Sequence, residues 1–418
     1  MGLSFLTWVD FDSDQKKKMA EVIRLFSEQG VRDELGFGTV RDVIADKLFP
    51  GTSTIQTRAK YFLFVPYIFL KLQDEASKSE RLRNSPEKMQ AFVEEEEQKL
   101  RNHLVTLEDS SGTFGKRNEK LERYPNEVYW AGLKKWGVFK DEAGRSSYYE
   151  ELGDRIQLLK DWEKKNKDDE NDYSKRPNNF WNAEVEKLFR DSKVKEINSF
   201  ELHPKEAAFL RSQINECCNG TLLNSILINE IQIGDVETLW DLKVRKVIND
   251  QFKDILYHSK NFSLLVCGAV RAYFYYCARK LESSLVKDYE EFFEEWFVEV
   301  KKSEYAEWKV DDFFTYLQTL DEKANVHITQ VFSSQFKKEF DKATTFKEML
   351  DSDSLFNLIK KRELDLKKIK RARLSNEEPL KRWGNALNGV AFKAYGPDFR
   401  WGQSKRIILD IFAGAGVE

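Results

Sequence analysis

Two glycine-bearing turns near the N-terminus offer the first chemistry in this chain: Gly36-Phe37-Gly38-Thr39, and Pro50-Gly51-Thr52-Ser53-Thr54 further on. Each precedes helix-forming sequence. Backbone N–H groups at a helix start attract anions, and the helix dipole adds to that attraction. Thr52, Ser53 and Thr54 contribute hydroxyls, while Arg58 and Lys60 contribute positive charge one to two turns on. That set suits a phosphate. Asp33, Glu34, Asp42 and Asp46 are close in sequence, and chemistry on a nucleic acid needs carboxylates beside such a site. The same residues also make sense as a tightly packed helical hairpin whose glycines merely allow close turns.

These side chains need elements to hold them. A 3.6-residue period puts Met19, Val22, Ile23 and Phe26 on one face and predicts a helix over 12–29, capped by Asp12 or Ser13. Thr39-Val40-Arg41-Asp42 reads as a capping box with Asp in place of Glu, opening a short helix to about Leu48. Pro50-Gly51 forces a turn. A long apolar helix, kinked at Pro66, is expected from about Thr54 past Leu70. Its apolar run is too short to span a bilayer. Asp10, Asp12 and Asp14 follow the apolar N-terminus at once, which argues against a signal peptide and for the cytoplasm.

Residues 74–101 are strongly charged, with Glu94 to Glu97 as an acidic run, and read as a solvated helix or a linker. Ser110 to Arg117 reads as a basic loop. Tyr124 to Trp136 predicts a short helix ended by Gly137. Its Lys134 and Lys135 would suit DNA; its Tyr129, Trp130, Leu133 and Trp136 would suit a buried face. Residues 160–178 form a polar boundary. Helical patterning follows near 181–191, 204–216, 221–230, 236–257, 261–282, 284–302 and 310–320. Asp288 to Glu299 holds six acids and no base, as a solvated face or an interaction surface does.

Between Lys360 and Arg382, ten basic residues stand against four acidic ones. Arg, Trp, Tyr and Gly are then interleaved through Arg382-Trp383-Gly384 and Tyr395 to Lys405. Such a segment suits backbone contacts and base stacking, with Arg382, Arg400 and Lys405 as phosphate contacts. It also reads as a solvated helix followed by a terminal helix docked through Ile407, Ile408 and Ile411.

The 418 residues suffice for two or three domains, and eight prolines favour long helices over loops. The expected fold class is mainly α: a multi-helix globular protein with few short strands. Its expected regions are 1–150 with the candidate phosphate site, a helical middle over 151–350, and a basic-aromatic 351–418 that packs on the first. Net charge is −3, so any nucleic-acid surface must come from local segregation of charge. Cys217, Cys218, Cys267 and Cys277 form no C-x-x-C pair, and the four histidines share no ligand spacing. Reduced thiols and no metal are expected. Phosphate-loop, dinucleotide-binding, nucleophile-elbow and zinc-deaminase motifs are missing, so no cofactor is expected.

Leu3-Ser4 with Trp8 to Phe11, Arg32 to Thr39, Phe49 to Phe62, Tyr129 to Leu133 and Tyr395 to Asp410 together resemble an uncharacterised bacterial domain family, over most of the chain. Members of that family are encoded in phage-defence neighbourhoods and associated with defence DNA glycosylases. Pro50 to Ala59 is similar to the hairpin of helix-hairpin-helix DNA glycosylases, but Ser53 replaces its second glycine and Thr57 comes one place late. The resemblance implies an enzyme that excises a bulky modified base, such as glucosylated hydroxymethylcytosine, from phage DNA and leaves an abasic site.

Such an enzyme extracts its base from the stack at a cost of roughly a few kcal/mol. Breaking the glycosidic bond then gives an oxocarbenium-like sugar that a carboxylate stabilises. Asp33, Glu34 and Asp42 are the candidates here. Gln56 would read the base edge, and Phe37 or Tyr61 would stack. The same acids have structural roles open to them: Asp42 as a cap, Asp33 and Glu34 as partners of Arg32 and Arg41. DNA is the expected partner, with no membrane. Two other functions fit the residues: a non-catalytic DNA-binding or regulatory protein of a defence system, and a helical scaffold using Asp288 to Glu299 as its contact face.

Overall fold

A helix that is apolar on every side must be surrounded by other helices. Tyr61 through Leu70 is such a stretch, and every one of its residues is buried. In the computed structural model the described residues are 33–116, 118, 120–142, 144–165, 180–191, 199–244 and 246–417; at 163–165, 243–244 and 246–250 the backbone alone is described. They form α1 (Gly38–Leu48), α2 (Tyr61–Lys78), α3 (Glu80–Arg83), α4 (Pro86–Leu104), α5 (Pro125–Lys135) and α6 (Arg145–Lys165). Next come α7 (Ala183–Arg190), α8 (Pro204–Cys217), α9 (Leu222–Ile228), α10 (Lys246–Lys280), α11 (Val286–Lys301) and α12 (Val310–Leu320). The chain closes with α13 (His327–Lys342), α14 (Phe346–Leu350), α15 (Asp353–Arg371), α16 (Glu377–Leu387) and α17 (Trp401–Ala415).

The fold is mainly α, as expected. The few short strands are not seen among the described residues. An isolated antiparallel bridge pairs Phe139 with Trp181, flanked by Lys140 N–H to Phe180 O at 2.7 Å and Asn182 N–H to Val138 O at 2.9 Å.

The chain builds two compact units, each from separated stretches. One takes 33–44 of the described residues with Lys253–Phe399; the other takes Ala45–Phe252 with Arg400–Glu418. These units cut across the three consecutive regions read from the sequence.

In the second of these units α2 packs against α3, α4, α5, α6 and α7. Phe62 stacks on Trp136 at 3.8 Å, and Phe69 meets Trp130, Tyr148, Tyr149 and Trp181. Tyr129, Trp130, Leu133 and Trp136 are therefore the buried face of α5 and its cap. Helix α17 docks on α8 and α9 and buries Ile407, Ile408 and Ile411. In the unit containing Lys253–Phe399, α12 packs on α13, and α13 on α15. Helix α11 buries Tyr289, Phe293, Trp296, Phe297 and Val300. Its acids take the opposite stripe, the division that a 3.6-residue period imposes.

Three expectations need correction. Helix α2 begins at Tyr61, not near Thr54, because residues 52–60 make successive turns. The helices expected at 236–257 and 261–282 are a 3-10 turn, Leu239–Val244, and then the single helix α10. No breaker divides α10: Ser259 Oγ donates to Ile255 O, and Asn261 Nδ2 donates to Tyr257 O at 2.9 Å. Polar side chains thus bond back one turn within a continuous helix. Glu97 is buried rather than solvated with the rest of its acidic run. The helix expected over 12–29 lies outside the described residues, as does most of the polar boundary at 160–178. Among the described residues no helix is long and apolar enough to cross a membrane.

Gly51 has φ +82°, and a Cβ there would collide with the Trp136 indole, whose Nε1 donates to Pro50 O at 2.8 Å. Left-handed strain and the collision act together, so Gly51→Ala is expected to cost about 2 kcal/mol or more. A urea unfolding curve measures it, and an unchanged midpoint would contradict the packing.

Glu97 accepts Asn126 N–H at 2.7 Å and Asn126 Nδ2 at 2.5 Å, yet burial pushes its carboxyl up to about 8. The folded chain holds this proton more tightly than the unfolded chain. That contribution to stability is complete below the ordinary carboxylate range and is lost as pH rises through about 8. Relative to the wild type, Glu97→Gln should gain up to about 1.4 kcal/mol per pH unit between those limits. Unfolding free energies measured in steps from pH 5 to 9 check the slope.

Candidate functional site

The residues expected to grip phosphate form the internal joinery of one unit. Thr52 Oγ1 donates to Phe49 O at 2.7 Å and accepts from Ser404 Oγ at 3.3 Å. Ser53 N–H donates to Gln56 Oε1, and Gln56 Nε2 donates to Gly51 O, each at 3.1 Å. Gln56 therefore closes the turn it sits in and is buried. Thr54 is half-buried and does not start a helix. Arg58 holds Asp410 at 2.9 Å and Asp109 at 2.8 Å, with its guanidinium 4.6 Å from the Phe200 ring centroid. Lys60 is buried against the fully buried Glu206. Tyr61 is buried against Phe64, Phe114, Tyr129 and Phe200, and its hydroxyl accepts Phe114 N–H at 3.3 Å.

Arg400 spans Asp46 at 2.5 Å and Thr52 O at 2.8 Å, and Lys405 donates to Gly234 O and Val236 O. Arg382 alone of the basic candidates is exposed, with Nε 3.4 Å from Glu378 O. An open phosphate cradle at Thr52 to Lys60 is thus corrected to a closed set of turns. A cation already paired with a buried carboxylate has little attraction left for a distant anion.

The three candidate acids part company in the other unit. Asp33 accepts the backbone N–H groups of Phe37, at 2.7 Å, and Gly38. It therefore caps α1 itself and fills the anion position that the first glycine turn offers. Asp42 pairs with Arg41 at 3.2 Å and is 46% exposed; it does not cap Thr39. Phe37 is buried edge-on to Phe262 and Phe332. Neither Phe37 nor Tyr61 is placed to stack on a base.

Glu34 enters a charged cluster. Its side chain is 8% exposed and accepts from Lys367 Nζ and from Arg373 Nη1, the latter at 3.1 Å. Lys367 Nζ also donates to Tyr273 Oη at 3.2 Å, and Arg373 Nη1 does so at 3.3 Å. Tyr273 in turn donates to Glu363. Glu363 is fully buried and also accepts Arg373 N–H at 2.8 Å and Leu374 N–H at 2.9 Å. Two carboxylates thus face two cations around one phenol. Burial keeps the Tyr273 hydroxyl well above its ordinary pKa, so it stays a donor at neutral pH. Burial likewise pushes the neighbouring Cys277 thiol up, which leaves it inert.

Helix α15 assembles this cluster by breaking. Residues ten apart in a straight helix are about 15 Å apart, yet the N–H of Arg373 reaches the side chain of Glu363. The chain turns back at Lys368, whose φ of 56° and ψ of 166° lie outside the helix. Arg362 ties the N-terminal segment to the same helix, donating to Leu35 O at 2.7 Å and Gly36 O at 2.8 Å. Lys367 is 18% exposed, so solvent meets the cluster at its edge.

Of the predicted residues, the structure brings Glu34 alone into this cluster. Sequence reasoning missed Tyr273, Glu363, Lys367 and Arg373. The one available signal was the basic run from Lys360 to Arg382, which reads as solvated until its partners are known. Among the described residues no group of three or more His, Cys, Asp or Glu side chains is arranged to hold a metal ion.

The fold and cluster define an all-helical protein with a buried carboxylate–phenol–amine network. A family model matches residues 3–416, described as a family of unknown function, DUF6361, and the chain belongs to that family. No curated protein and no solved structure matches it.

Truncation should rank the three acids by their surroundings. Glu34→Ala strands two part-buried cations and is expected to cost about 3 kcal/mol or more. Asp33→Ala removes a helix cap at about 1 kcal/mol, and Asp42→Ala stays within about 0.5 kcal/mol. Chemical unfolding of the three variants tests the order; an Asp42 effect equal to that of Glu34 would refute it.

Proposed function

We propose that this protein is a DNA glycosylase of anti-phage defence, excising a bulky modified base such as glucosylated hydroxymethylcytosine and leaving an abasic site. The observation carrying the reading is the Glu34 cluster: a carboxylate, a protonated phenol and an amine within hydrogen-bonding reach, at a point solvent can enter. The sequence resemblance to a family associated with defence DNA glycosylases is its other support. Cleavage of a glycosidic bond builds positive charge on the sugar, and a preorganised carboxylate stabilises that charge. Glu34 takes this role in our reading. Lys367, the cluster member that meets solvent, gives a proton to the leaving base; a water molecule adds to the sugar cation and returns a proton to Lys367, while Tyr273 and Arg373 hold Glu34 and Lys367 in place. The four cysteines are unpaired, which suits a reducing cytoplasm where incoming DNA is met.

A second reading, a non-catalytic DNA-binding protein of a defence system, is favoured by one observation: Asp33 and the helix-start amides beside it already satisfy each other. One assay separates the two. Modified phage DNA and plain DNA are incubated with the protein, and alkali-labile sites and released base are measured. The glycosylase reading expects abasic sites in modified DNA only, abolished by Glu34→Gln with duplex binding retained. Full excision by a folded Glu34→Gln variant would remove Glu34 from catalysis. No conversion of any DNA would reject the enzyme.

A further inference from the structure

The last turns of α15 carry cations with no ion-pair partner among the described residues: Lys368, Lys370 and Arg371, all exposed. Asp365 is the exposed acid of the same stretch, and Glu377 and Glu378 follow on α16, where Glu377 is taken by Lys381 at 3.0 Å. Beside the cations stand two exposed apolar side chains, Leu366 at 40% and Ile369 at 55%. Leu366 rests on Gly36, where a Cβ would come within 2.6 Å of it. The glycine of the first turn thus gives this leucine its seat.

Cations in a final helical turn are favoured by the helix dipole alone. The dipole explains neither apolar side chains held in water nor the backbone at Lys368. A φ of 56° with ψ of 166° is a conformation that essentially only glycine adopts without strain. The fold therefore sustains a strained break at the point where unpaired charge and exposed apolar surface coincide. Proteins that distort duplexes combine these features: cations on phosphates and an apolar wedge between base steps.

We infer that the end of α15 is a duplex-DNA docking surface, with Lys368, Lys370 and Arg371 on phosphates and Leu366 and Ile369 as the wedge that unstacks a base step. This deepens the glycosylase reading and rests on it for the purpose of the wedge. The surface adjoins Lys367, a member of the Glu34 cluster, in sequence.

The test uses full-length protein, fluorescein-labelled duplex, and phosphatidylglycerol vesicles as the competing polyanion. Lys368→Gln/Lys370→Gln/Arg371→Gln should weaken duplex binding at least tenfold, and the log–log salt slope should fall by about 0.9 per cation removed. Leu366→Ser/Ile369→Ser should bind within about threefold of wild type but lose the 2-aminopurine fluorescence rise that wild type induces in the duplex. Unfolding midpoints confirm that both variants fold. Unchanged duplex binding by the triple variant overturns the surface, as does vesicle binding that depends on the three cations while duplex binding does not. A fluorescence rise retained by the double variant overturns the wedge. Excision that survives in a triple variant with full binding leaves the glycosylase and rejects this surface. Lost binding alongside a wild type that excises nothing does the reverse.

Discussion

Two carboxylates buried opposite two cations are the constraint on which one whole unit depends. Burying Glu34 and Glu363 is costly unless Lys367 and Arg373 face them. Arg373 reaches that position because α15 breaks at Lys368 and returns. Glu34 reaches it because Arg362 grips the carbonyls of Leu35 and Gly36. A short N-terminal segment and a distant helix are thereby locked together by charge, across more than three hundred residues of sequence. Exchanging such a network for apolar residues often leaves stability unchanged, whereas losing one member is costly.

The other unit solves a comparable problem with Arg58. Asp410 on α17 accepts from Arg58 Nε and from Ala59 N–H, both at 2.9 Å. One carboxylate thereby fixes the terminal helix to the chain that leads into α2. The aromatic layer around Phe62, Phe69, Tyr129 and Trp136 supplies the burial, and the polar residues of 52–60 supply register. Residues that look like a binding loop are used up by this work. Thr52, Gln56, Arg58 and Lys60 all satisfy, or are satisfied by, groups of their own unit.

Charge segregation is more local than composition suggests. A net charge of −3 hides a helix end where three exposed cations have no ion-pair partner among the described residues and α11, whose acids take the face opposite its aromatics. The field of α11 is negative and that of the end of α15 positive. The strain at Lys368 and the exposed Leu366 and Ile369 are found at that positive end.

Sequence by itself determined the helical class, the approximate limits of α1, α5, α7, α8, α9, α11 and α12, the buried faces of α5 and α17, and the turn at Pro50-Gly51. These follow from periodicity, capping and glycine conformation, which act over a few residues. It also singled out Glu34 as an acid near a glycine turn. Tertiary structure alone decided that Asp33 caps α1, that Arg58 and Lys60 are consumed by Asp410 and Glu206, and that Glu34 meets Tyr273, Lys367 and Arg373. A charged side chain reads the same in sequence whether it faces water or a buried partner. Only the folded chain brings Glu34 to residues hundreds of positions away, and there the cost of burying one charge dictates the presence of the other.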